Sequence, residues 1–376
     1  MDNRVRTHIG TGAPKFKYVP CLRWKQGEYQ AVCSLSRSAQ ESTIPLIEVP
    51  EIGWDFETGE EAKTIDDHLA KFARQVRTKW GTRRCFVDLN LIDPSARMAD
   101  DAHPLDFIFA GLRSYTCVAV PVTGLDRDSA YQRTASLAAS RDGYGICFRL
   151  GIEQAAKGDV KTLVNALLAS LKAKIGTTDL VLDLGAPNFN PLDGFAKVVL
   201  GVIARLPRLD GWRSFSMIGT SFPSTMGAIK GSMEFVPRYE WTLYRKVIAG
   251  LREKNVRLPD FGDYAISHPA VLQMDMRFVK PSASIRYTVD DGWCIIKKPN
   301  VRATGYAQFR DHCRTLIGSQ YYLGAAFSAG DRYIESCARG VASHGNLTTW
   351  RRVGTNHHIE KAVRDIASFY ASLSRK

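Results

Sequence analysis

The sequence predicts an α/β fold: a closed (β/α)8 barrel that carries a C-terminal extension. Three observations predict it. Short apolar, β-branched runs alternate with longer amphipathic runs eight times over, and that alternation implies parallel strands joined by right-handed crossovers. The eight units span residues 18–268, or 251 residues, against roughly 250 for a barrel of this type. A doubly wound open sheet, the alternative, would carry a glycine-rich phosphate loop after its first strand. The corner here is Lys25-Gln26-Gly27-Glu28, with a single glycine.

The elements follow in order. Residues 18–24 (YVPCLRW) form the first strand, with a helix over 27–38. Residues 44–49 (IPLIEV) form the second. Its helix over 64–79 places Ile65, Leu69, Phe72 and Val76 on one face. The third strand, 84–90 (RCFVDLN), precedes a helix over 104–114, and the fourth, 117–122 (CVAVPV), precedes one over 128–140. The fifth is 144–150 (YGICFRL), followed by a helix over 160–174 with Asp159 as N-cap. The sixth, 179–184 (DLVLDL), leads to a helix over 192–205. The seventh, 214–219 (SFSMIG), leads to a helix over 239–254, and the eighth is 261–266 (FGDYAI).

After His268 the rhythm breaks. Residues 284–288 and 293–297 read as a hairpin turning at Asp290-Asp291-Gly292. Helices are expected over 307–317, 331–339 and 359–374. No Pro/Gly/Ser linker intervenes, so the expected organisation is an N-terminal tail (1–17), a barrel (18–268) and an extension packed on it (269–376).

Composition narrows the class. At 376 residues, 45% hydrophobic and 24% charged, the chain can bury a large core and is neither disordered nor collagenous. Its longest apolar runs fall far short of the roughly 20 residues of a membrane span. Cys21, Cys85, Cys117 and Cys147 sit inside apolar runs, where cysteine behaves as a small hydrophobe. No zinc-type Cys/His spacing occurs. Residues 1–17 lack the apolar segment of a secretory signal. A reduced, cytoplasmic protein is expected. The net charge is +13, of which +8 falls in residues 269–376, with 16 basic and 8 acidic side chains. Such an excess suits a polyanionic partner, nucleic acid or nucleotide. It equally suits a solvated basic surface, since no uninterrupted Lys/Arg run occurs.

In a barrel the chemistry gathers at the C-terminal ends of the strands. There the sequence places Lys25, Glu48, Asp88 with Asn90, Arg149, Asp183, Thr220 with Ser221, and Asp263 with Tyr264. Carboxylates among apolar neighbours are costly to bury unless paired or metal-bound. Glu48, Asp88, Asp183 and Asp263 are therefore the catalytic candidates. Glu48, Asp88 and Asp183 are the candidate ligands for Mg2+ or Mn2+. The structural alternative is an ion-pair network in which Arg149 neutralises Asp183. Lys25 could hold a phosphate, or pair with Glu28 at the helix start. Gly219-Thr220-Ser221 is the nearest approach to a phosphate loop.

His268 follows the eighth strand. His357 and His358 close the donor-rich stretch Gly345 to His358, which reads as a loop and contains Asn346, Trp350, Arg351, Arg352 and Asn356. These side chains suit phosphate and base contacts, with Trp350 as a stacking platform. They also suit a loop docked on the barrel mouth. Tyr264, His268, Trp350, Arg351, Asn356, His357 and His358, with Lys25 and Arg149, are the candidate substrate-binding residues. No nucleophile elbow, Walker A loop or HExxH motif is present.

The stretches YVPCLRWKQGEYQA (18–31) with IPLIE (44–48), SIRYT (284–288) and WRRVGTNHH (350–358) resemble the Beta protein family. That family occurs in bacterial mobile elements and in a satellite prophage, within an antiphage defence cluster. The resemblance implies a role in antiphage defence and carries over no catalytic residue. Two functions follow as expectations. One is a TIM-like barrel hydrolase, metal-dependent, acting on phosphodiesters of nucleic acids or nucleotides. The other is a non-catalytic module that binds nucleic acid, or a phage or host protein, and controls a toxic partner.

Overall fold

The structure, a computed structural model, describes residues 16–270, 278, 280–298 and 300–375. The expected tail, 1–17, therefore lies outside the described residues except for Phe16 and Lys17. Eight strands close into a barrel: Tyr18–Arg23, Leu46–Glu48, Cys85–Asp88, Ala119–Thr123, Ile146–Gly151, Thr178–Asp183, Ser214–Gly219 and Asp260–Asp263. Each pairs in parallel with the next, and the eighth pairs with the first. The predicted (β/α)8 barrel is the observed fold.

The strands are buried on both faces, which is why they read as near-continuous apolar runs. Alternate side chains sort inward and outward. Val19, Cys21, Leu46, Phe86, Val120, Val122, Cys147, Val181, Ile218 and Tyr264 fill the barrel. The other face, including Tyr18, Leu22, Ile47, Val87, Phe148, Leu180, Leu182 and Phe261, packs under the surrounding helices. At the bottom, Asp179 is neutralised by Arg84 and by Arg213 (2.6 Å) and accepts from Ser214 (2.6 Å).

Several expected elements are revised. The first two helices are each broken in two, into Gln26–Cys33 with Arg37–Ser42 and Ile65–Leu69 with Phe72–Lys79. Asp159 stands at the N-cap of Val160–Ser170, but its side chain caps nothing. A short hairpin, Trp54–Asp55 with Glu60–Glu61, and a strand, Met233–Pro237, went unpredicted. That strand leaves the seventh βα connection and pairs with Gly292–Lys298 of the predicted hairpin, whose other arm is Ala283–Thr288. The largest revision concerns 345–358. It is no loop but the first half of a 27-residue helix, Leu347–Leu373.

That helix joins two cores. Trp350 and Val353 pack with Tyr287, Phe309, Cys313, Ile334 and Cys337 in the extension. Ile359, Ala362, Ile366 and Tyr370 join the core outside the barrel. Gly354 permits the close approach between them. A Cβ there would lie 2.8 Å from Ile266 Cδ1 and 3.0 Å from the Arg286 carbonyl oxygen.

Candidate functional site

The strand register builds the rim. Arg23, Glu48 and Asp88 are cross-strand neighbours on the first three strands, two residues beyond the inward-facing Cys21, Leu46 and Phe86. All three side chains therefore share the inner face. Arg149 enters from the fifth strand, two residues after the inward Cys147, and Asp183 from the sixth, two after Val181.

Glu48, Asp88 and Asp183 do converge, and they converge on Arg149. Its Nη1 donates to Glu48 Oε1 and to Asp88 Oδ2, both at 2.8 Å. Its Nε donates to Asp183 Oδ2 at 2.9 Å, and its Nη2 to the Tyr264 hydroxyl at 2.9 Å. The Tyr264 hydroxyl in turn donates to Asp183 at 2.7 Å. Asp88 also meets Arg127 Nη2 at 3.3 Å and the Tyr131 hydroxyl at 3.4 Å. Burial works against the Asp88 charge, yet Arg127 and Arg149 hold its carboxyl below the usual range. Burial likewise opposes the Arg149 charge and is outweighed by Tyr264, Asp183, Cys21 and Glu48. Three carboxylates around one guanidinium form a neutralised network of charge-assisted bonds. Among the described residues, no group of three or more His, Cys, Asp or Glu side chains is arranged to hold a metal ion.

Asp263 stands apart from this cluster. Tyr264 points into the barrel, so Asp263, one residue earlier, points out toward the C-terminal helix. There it accepts from the Tyr18 hydroxyl (2.5 Å) and the Ala265 N–H (2.8 Å), and pairs with His358 Nε2 (2.9 Å). Arg238, fully buried, lies 3.8 Å away. Burial resists the Asp263 charge, but His358, Arg238 and Tyr18 keep its carboxyl below the usual range.

The C-terminal candidates Trp350, Asn356, His357 and His358 make hydrogen bonds to other residues of the protein. His358 Nδ1 meets the Thr288 hydroxyl (2.8 Å), and burial holds its ring below the usual histidine range despite Asp263. His357 uses Nδ1 on Asp331 and Nε2 on the Thr288 carbonyl, both at 2.8 Å. Asn356 donates to the Ala31 carbonyl (3.1 Å) and accepts from the Gly330 N–H (2.8 Å). Trp350, expected as an open platform, stacks on Phe309 at 4.8 Å, and its Nε1 donates to the His344 carbonyl. Lys25 pairs with Glu51 at 2.7 Å, not with Glu28. Glu28 faces Arg351 at 3.5 Å.

The turn after strand seven is occupied by protein. The Ser221 N–H and hydroxyl both donate to Glu240 Oε2, at 3.0 and 2.7 Å. A carboxylate thus sits where this loop would meet a phosphate. Burial raises the Glu240 carboxyl to about 7, against the pull of Arg238. His268 lines a neighbouring cavity of about 520 Å³ with Phe189, Thr220, Phe222 and Tyr239. Its ring is pulled below the usual range by burial and Arg23. Tyr18, Arg127, Tyr131, Arg238 and Glu240 were not anticipated. The contacts of Tyr18 with Asp263, of Arg127 and Tyr131 with Asp88, and of Arg238 with Asp365 join residues distant in sequence.

A closed parallel barrel in which one arginine clamps Glu48, Asp88 and Asp183 defines the class: a (β/α)8-barrel protein. The chain belongs to the Beta protein family, whose model matches residues 18–364. No curated protein matches it. Among solved structures, triosephosphate isomerase from Bartonella henselae is similar at 11% identity and a TM-score of 0.33, over 65% of this chain and 90% of that one. Among the described residues no helix is long and apolar enough to cross a membrane.

Proposed function

We propose that this protein is a non-catalytic module of antiphage defence that binds a phosphate-bearing partner of the nucleic-acid class. The observation that carries the reading is the Arg149 clamp. A general base or a Mg2+ or Mn2+ ligand needs a carboxylate oxygen free to accept. One oxygen of each of Glu48, Asp88 and Asp183 is committed to Arg149, the second oxygens of Asp88 and Asp183 accept from Arg127 and Tyr264, and Asp263 is turned to His358. The competing reading, a metal-dependent phosphodiester hydrolase, requires these groups to be released from their partners. The net charge of +13 supports a polyanionic partner. Family membership supports the defence context, through what the sequence resemblance implies.

Filter binding of single-stranded and duplex DNA and RNA tests the reading. Retention at low salt should fall steeply as salt rises. About three phosphate contacts to a single strand give roughly a 20-fold loss between 50 and 200 mM. No retention at low salt overturns it and favours a phage or host protein as partner.

A further inference from the structure

The cleft between the first strand–helix corner and the extension holds cations that its one acid balances poorly. Arg286, on hairpin strand Ala283–Thr288, and Arg351, on the C-terminal helix, both donate to the Ile266 carbonyl, at 3.0 and 3.1 Å. Two guanidiniums are thus held side by side. Arg351 also donates to Ser267 (2.8 Å) and faces Glu28 (3.5 Å). Arg286 has no carboxylate at ion-pair distance among the described residues. Its guanidinium also lies over the ring face of Phe222, at 5.3 Å. Burial and the adjacent Arg351 pull Arg286 well below the usual arginine range. Glu28 is displaced the other way: burial raises its carboxyl despite Arg351 and Lys25. One reluctant acid therefore serves two crowded cations.

These groups line one cavity of about 670 Å³, which Ser282, Ser284 and Thr348 edge with hydroxyls. The helix Gln26–Cys33 begins in its wall, and its N-cap, Lys25, makes no side-chain capping bond. Gly27 lets the Arg351 stem cross that helix start, because a Cβ there would fall 2.4 Å from Arg351 Cγ. Two planar guanidiniums held side by side match the fork geometry of a phosphate group. The volume is that of a small-ligand site.

We infer that this cleft binds the terminal phosphate of a nucleotide or of an oligonucleotide end, with Arg286 and Arg351 as its guanidinium clamp. The inference rests on the proposed nucleic-acid class of partner and adds the site and the recognised group. The bound anion supplies the countercharge that Arg286 lacks.

Calorimetric titration of the full chain with pyrophosphate, AMP, a 5′-phosphorylated trinucleotide and its 5′-hydroxyl counterpart tests the site. The phosphorylated trinucleotide should bind at least tenfold tighter than the hydroxyl form. Arg286→Gln and Arg351→Gln should each erase that difference. AMP matching the phosphorylated trinucleotide identifies a free nucleotide as the source, and weaker AMP binding identifies a strand end. The melting temperature of Arg286→Gln should fall by no more than the loss of one hydrogen bond to the Ile266 carbonyl implies, since that carbonyl keeps Arg351 as donor. Arg286→Lys, which keeps the charge but not the fork, should lose most of the preference and covers the case in which the glutamine variant fails to fold. Equal binding of the two trinucleotides, or a preference that survives these substitutions, overturns the site. If nucleic acid is still retained on filters in that case, only the site is wrong. If pyrophosphate binds in an Arg286-dependent way and no oligonucleotide does, the anion site stands and the nucleic-acid partner falls.

Discussion

Arg149 Nη1 lies 2.8 Å from Asp88 Oδ2, across the inner rim of the barrel and 61 residues away in sequence. The same nitrogen reaches Glu48 at the same distance. One side chain from the fifth strand thus locks the second and third. Arg149→Met should leave Glu48 and Asp183 without their close cation and Asp88 with Arg127 alone, at 3.3 Å. A loss of about 3 to 5 kcal/mol is expected, read by thermal or urea unfolding. Asp88→Ala and Asp183→Ala should lose melting temperature and defence together in a plaque assay. A folded, fully stable Asp88→Ala protein without protection would instead mark Asp88 as catalytic.

Glu240 gives the fold a pH dependence. Its carboxyl sits at about 7 when folded, against 4.5 unperturbed, so the folded state binds that proton more tightly. The stabilisation is fully present below about pH 4.5 and is lost as pH rises toward 7. Glu240→Gln removes this contribution. Over that window the wild type should lose about 3 kcal/mol relative to the variant, as measured by unfolding the two proteins side by side at each pH. Parallel pH profiles would show that Glu240 is ionised throughout.

Asp263 pins the C-terminal helix to the barrel wall through His358. Asp263→Asn should weaken that attachment by about 2 to 3 kcal/mol. Hydrogen exchange should rise in helix 347–373, where His358 loses its carboxylate partner, and stay unchanged near Asp88. Unaltered exchange with lost protection would return Asp263 to the list of catalytic candidates.

The barrel was legible because each strand is an apolar run with its own flanking helix, a local signal. The facing of individual carboxylates was partly legible. Asp263 and Tyr264 are adjacent in one strand, so period two already forbids both from sharing the inner face. The C-terminal helix was not legible in its first half. Gly354, Thr355, Asn356 and the two histidines are poor helix formers, and donor-rich sequence looks like a loop. Burial overrode propensity: Thr355, Asn356, His357, His358, Glu360 and Lys361 are all buried between barrel and extension. The Arg149 clamp was half legible. The pairing with Asp183 follows from neighbouring strands, but the reach to Glu48 and Asp88 depends on barrel closure, which brings distant strands face to face.

Binding without hydrolysis is tested directly by one experiment. A 5′-labelled oligonucleotide is incubated with the protein in EDTA, in Mg2+ and in Mn2+, and retention and strand length are read from the same samples. The account predicts equal retention in all three and full-length strand throughout. Cleavage that appears with Mg2+ or Mn2+ and disappears in Asp88→Asn would contradict it and establish the rim carboxylates as a metal-dependent active site.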